Sequence, residues 1–127
     1  MDKRTAGTGS APEPTEIRLN KVERTLEVDF SDGIKRQFSA ELLRVESPSA
    51  EVRGHGSGQK KIVPGKRNVG IEGLEPVGNY AILIKFSDGH DTGIFSWDYL
   101  YGLGRIQTEV WQGYLDAIEK QGLSRDS

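Results

Sequence analysis

One tetrapeptide occurs twice in this chain, and its surroundings repeat with it. Phe30-Ser31-Asp32-Gly33 returns as Phe86-Ser87-Asp88-Gly89, and Phe38-Ser39 returns as Phe95-Ser96. The first pair is 56 residues apart (86 − 30) and the second 57 (95 − 38), so the later copy has gained one residue at or beside His90. Asp-Gly between alternating apolar residues signals a tight turn, because Gly accepts a positive φ and Asp tolerates the turn geometry. Ser39 and Ser96 suit helix N-caps, with Glu41 and Asp98 in the first turn near the positive end of the helix dipole. Each half reads strand, Asp-Gly turn, short strand, Ser-capped helix. Two such units predict an α+β fold: a two-layer sandwich, an antiparallel or mixed sheet with helices on one face.

The apolar periodicity fills in the rest. Ile17 and Leu19, then Leu26, Val28 and Phe30, alternate with polar residues, which predicts strands near 15–20 and 24–30. Ile34 to Phe38 returns from the first turn, and Pro48 keeps the following helix short. Val69 and Ile71 alternate, and Gly78-Asn79 is another hairpin signal. Tyr80, Ile82, Ile84 and Phe86 share one strand face and Ala81 and Leu83 the other, the pattern of a central strand. A short strand near Thr92 to Phe95 leads to a short helix, limited by Gly102 and Gly104. Thr108 is placed to cap a final helix whose stripe is Val110, Trp111, Tyr114, Leu115 and Ile118, with Gly122 as its stop. One domain is expected over 15–121, with a disordered tail at 1–14, a frayed end at 122–127 and a long Gly- and Lys-rich loop at 46–67.

Composition bounds the function. The 127 residues suit one domain and include no Cys, which excludes disulfides and thiolate metal sites and fits a reducing, cytoplasmic setting. A net charge of −2 argues against a dedicated nucleic-acid binder. The longest apolar stretch, Tyr80 to Ile84, is far too short to span a bilayer.

The runs "LRVESPSAEVRGHG" and "PVGNYAILIKFSDGHDTGIFSWDYLYGLG", with the spacing between them, resemble the gamma-butyrobetaine hydroxylase-like N-terminal domain, once listed as a bacterial domain of unknown function. The resemblance covers roughly residues 15–110. It implies a two-layer α/β fold and a domain found alone, fused to iron–sulfur carrier ATPases, or ahead of an oxygenase domain. In the hydroxylases the resemblance further implies a structural zinc held by three Cys and one His. The matching positions here are Ser47, Ser49, Val52 and His90, so only the His remains. Ser is a poor zinc ligand and Val is none.

Several residues invite a functional reading beside a plainer one. His90, with His55, Asp88, Asp91 or Glu51, has the donor types of a zinc or iron site, yet lacks hard-wired ligand spacing and equally reads as a turn histidine bonded to Asp. Arg53, Lys60 and Lys61 around Gly54, Gly56 and Gly58 have the makings of an anion-binding loop or of a solvated one, and no Gly-Lys-Ser/Thr completes a P-loop. Trp97, Tyr99 and Tyr101 open a helix. Spacing puts Trp97 and Tyr101 on one face and leaves Tyr99 elsewhere, as core or as a partner surface. No nucleophile elbow or catalytic constellation is present. The expectation is therefore a non-catalytic accessory module that binds a protein partner in metal or iron–sulfur metabolism and needs no cofactor. The alternative is a small metal-binding protein using His90 and His55 with carboxylates.

Overall fold

The computed structural model describes residues 11–49 and 61–126. Strands β1 (Pro14–Asn20), β2 (Thr25–Phe30) and β3 (Lys35–Ser39) form one antiparallel sheet and lead into helix α1 (Ala40–Val45). Strands β4 (Ile71–Val77), β5 (Ala81–Phe86) and β6 (Gly93–Ser96) form a second antiparallel sheet and lead into helix α2 (Trp97–Lys120). The α+β class holds, and the strands divide into two three-stranded meanders. β5 is central in its sheet, as its two apolar faces predict.

The duplication reaches further than the tetrapeptide. Each meander starts with the same irregularity: Pro14 pairs with Phe30 and Ile71 with Phe86, and each register shifts before the next pair. The turns agree bond for bond. Gly33 N–H donates to the Phe30 carbonyl at 3.0 Å and Gly89 N–H to that of Phe86 at 3.1 Å. Gly33 has φ 89° and Gly89 φ 91°, a region that glycine enters without steric cost. Phe30 N–H donates to Ile34 O and Phe86 N–H to His90 O, so His90 is the counterpart of Ile34. Val28 faces Arg36 and Ile84 faces Gly93 across their ladders. The added residue therefore lies just after His90, at Asp91–Thr92. Ser39 and Ser96 cap their helices, each accepting a 3.0 Å hydrogen bond from the third residue on.

One core joins both units. Leu26, Val28 and Phe38 meet Ile82, Ile84, Phe86 and Phe95, with Leu42 and Leu43 of α1 and Leu100 and Leu103 of α2 closing over them. Burying such side chains contributes roughly 1.5–3 kcal/mol each.

Four details differ from the sequence reading. Tyr80 is not on the core face of β5. Val77 pairs with Ala81, so Gly78–Tyr80 is a three-residue loop, and Tyr80 is 57% exposed. The two expected C-terminal helices are one run broken at Ile106 (φ −121°, ψ 17°), so Thr108 lies inside a helix rather than at its cap. Residues 11–13 of the expected tail are engaged: Glu13 O accepts from Ser31 N–H at 2.8 Å. Residues 122–126 are also held. Gly65 N–H donates to Ser124 O and Arg67 N–H to Arg125 O, and Arg125 binds Glu41 through both carboxylate oxygens at 2.8 and 2.9 Å. The Arg125 guanidinium also lies 5.1 Å from the Trp111 ring.

Glu41 is buried, so removing its partner strands a carboxylate. Arg125→Ala should lower stability by about 2–3 kcal/mol, less than a fully buried pair because Arg125 keeps some exposure. Urea denaturation measures it, and a change under about 0.5 kcal/mol, the usual surface range, would show the strap to be ornamental.

Candidate functional site

The two units lock by exchange. Arg44, on α1, reaches the second turn and donates through Nε to Asp88 Oδ2 at 2.8 Å. Tyr101, on α2, reaches the first turn and donates to Asp32 Oδ2 at 2.6 Å. Arg44 and Tyr101 are 57 residues apart (101 − 44), the offset of the two caps. Lys66 adds a second cation to Asp88 at 2.5 Å. Burial pulls the Asp88 carboxyl upward, but the Lys66 ammonium, the His90 amide and Arg44 together hold it at about 2. The Tyr101 hydroxyl, then the Ile34 amide, keep Asp32 below the usual carboxylate range.

His90 sits at this junction, 5% exposed. Its Nε2 lies 3.0 Å from Ser47 Oγ, which is fully buried after α1. Ser49 Oγ lies 3.0 Å from Thr92 Oγ1. Gly93 leaves the space that Ser47 enters: a Cβ there would stand 2.3 Å from Ser47 Oγ. The same contact recurs in mirror fashion, where a Cβ on Gly104 would stand 2.8 Å from Arg36 Cγ. Three of the four positions that the resemblance aligns with zinc ligands, Ser47, Ser49 and His90, therefore lie together, and they meet as hydroxyl and imidazole. Ser47 is bonded to His90 and Ser49 to Thr92, and a Ser hydroxyl is not an anionic donor near neutral pH. This donor set does not fit a structural zinc. Nor does the Ser47–His90 pair offer a substrate an open face, since both side chains are buried. Among the described residues, no three His, Asp or Glu side chains gather as a metal-binding group. Asp88 is ion-paired and Asp91 is exposed. His55, Glu51, Val52, Arg53 and Lys60 lie outside the described residues, and Lys61 is exposed.

An open groove lies at the first turn. The groove, of about 960 Å³, is walled by Ala11 to Thr15, the first turn at Ser31-Asp32, Asn79-Tyr80, and the start of α2 at Ser96 to Asp98. Its walls are tied to one another. Ala11 N–H donates to Asp98 Oδ1 at 2.7 Å, and Trp97 Nε1–H to Asn79 O at 3.0 Å. The three helix aromatics part company here. Trp97 lines the groove, and Tyr101 anchors the Asp32 that lines it. Tyr99 turns inward, with its ring against Phe95 and its hydroxyl on the Glu46 carbonyl. Tyr80 and the Ala11–Thr15 wall are the lining that the sequence reading misses.

The Asp88 cluster has a pH signature. Its folded carboxyl lies near 2 against an ordinary 3.8, so its stabilisation is complete above pH 3.8 and fades as pH falls toward 2. Asp88→Asn should be less stable than the parent at pH 7, and the deficit should shrink toward pH 2. Denaturation midpoints at both pH values test this; an equal deficit at both would refute it.

Residues 17–101 match the family model described as "Gamma-butyrobetaine hydroxylase-like, N-terminal". No curated protein matches. The chain is similar to two proteins of known NMR solution structure. One is 44% identical, with 92% of each chain covered and a TM-score of 0.80. The other is 43% identical, covering 96% of this chain and 91% of that one, with a TM-score of 0.81. It is also similar to a crystallised protein of unknown function of the DUF971 family from Acidithiobacillus ferrooxidans, 43% identical over 75% of this chain and 98% of that one, with a TM-score of 0.63. With a duplicated meander-and-helix fold and a family match across most of its length, the chain belongs to the gamma-butyrobetaine hydroxylase-like N-terminal domain family.

Proposed function

We propose that this chain is a non-catalytic module that works by binding a protein partner through the groove at the start of α2. The observation that carries the reading is the pairing of an exposed Tyr80 with a half-buried Trp97 on a pre-tied, open groove. Aromatic residues anchored at the base but open above are the groups that dominate partner binding. A lone exposed aromatic would carry little weight; two beside a groove of this size carry more. The family's fusions to iron–sulfur carrier ATPases, known here through the resemblance, direct the search for a partner toward metal and iron–sulfur metabolism. The metal-binding alternative through His90 and His55 gains no support from His90 Nε2, which Ser47 engages.

The full chain, immobilised, should enrich a partner from native extract, and Tyr80→Ala should recover it at least several-fold less, as for a central aromatic anchor. Equal recovery by the variant, or no enrichment in repeats, would overturn the reading.

A further inference from the structure

The duplication supplies a view of what the groove holds. Each of its walls has a counterpart in the other unit. Glu13 O accepts from Ser31 N–H, as Gly70 O does from Ser87 N–H, both at 2.8 Å. Trp97 N–H donates to Tyr80 O, as Ala40 N–H does to Arg24 O. Asp98 and Glu41 are the matching first-turn carboxylates, each two residues past a capping Ser.

In the unit that ends in α1, this place is filled. The Ser124–Asp126 segment runs beside residues 65–67, and Arg125 places its guanidinium on Glu41 through two hydrogen bonds. The Arg24 side chain lies over Gly70, 3.7 Å from where its Cβ would be. Both fillers are arginines. In the unit that ends in α2, Tyr80 stands where Arg24 stands, and the place is a groove. Among the described residues its lining includes Glu13, Asp32 and Asp98 and no Lys or Arg.

We propose that the open groove takes an arginine-bearing segment of a partner protein, its guanidinium placed at Asp98 as that of Arg125 is placed at Glu41. The inference rests on the partner-binding reading and gives that partner its chemistry. The guanidinium meets Asp98 and Glu13, and the Tyr80 and Trp97 rings offer it flat faces. Pro12 and Pro14 stiffen the wall, so little ordering is lost on binding. Long-range attraction by the carboxylates makes the association weaken with salt.

The test is a titration of the full, ¹⁵N-labelled chain with the peptide Ser-Arg-Ser-Arg-Ser-Arg and with its counterpart in which Glu replaces Arg. The Arg peptide should move the Trp97 indole signal and the amides of Ala11, Tyr80 and Asp98, and the Glu peptide should not. Asp98→Asn, which keeps the acceptor for Ala11 but loses the charge, should weaken binding on the order of fivefold. Glu13→Gln, at an exposed side chain, guards against misfolding of that variant and should weaken binding in the same direction. No groove signal moving, equal response to both peptides, or shifts confined to the Glu41–Arg125 region would overturn the proposal. So would the same groove shifts appearing with protein concentration alone, which would make a second copy the occupant. If the peptide fails while the pull-down still depends on Tyr80, the arginine chemistry falls and the partner-binding reading stands; if both fail, both fall.

Discussion

Everything in this fold depends on a reciprocal exchange between its halves. The Asp of each Phe-Ser-Asp-Gly turn is held by the helix of the other half, Asp32 by Tyr101 and Asp88 by Arg44. The same residue that shapes its own turn, by accepting the amide of Ile34 or His90, spends its second oxygen on the partner unit. Each meander has an apolar face that must be buried against another element. The exchange ties each helix to the turn of the other half. Phe30 then packs edge-on against Tyr101 with centroids 5.0 Å apart, so apolar and polar contacts report the same docking.

Much of this is legible in the sequence, because turns and caps are local. Asp-Gly and the capping serines depend on a few neighbouring residues, and both copies fold as their local chemistry dictates. The repeat in β1 and β4 is not legible, since Pro14 and Ile71 share a bulge position but no chemistry. Tyr80 alternates correctly with Ile82 yet leaves the sheet, because the turn takes three residues rather than two. The Arg125 strap joins Glu41 across 84 residues, and no periodicity foretells such a contact. The candidate groove is legible only in part. Trp97 is visible by its spacing, whereas Tyr80 and the Ala11–Thr15 wall meet it only through tertiary packing.

The two halves have diverged where their symmetry would have made them equal. Around Glu41 the chain covers its own surface with arginines; around Asp98, among the described residues, it does not. At the interior junction, Ser47 meets Gly93 where Gly104 meets Arg36, so large and small have changed places in equivalent contacts. The residue added after His90 brings Thr92 to Ser49 and leaves His90 facing Ser47. That junction is closed by hydroxyl–imidazole and ion-pair contacts, and the open groove is where we propose that the module works.

The histidine ring signals of the full, untagged chain test that division most directly. With one equivalent of zinc, and again with iron, the His90 ring signals should stay in place and the melting temperature should match that measured with chelator. A joint shift of His90 and His55 with a rise in melting temperature would contradict the account and make the junction a metal site.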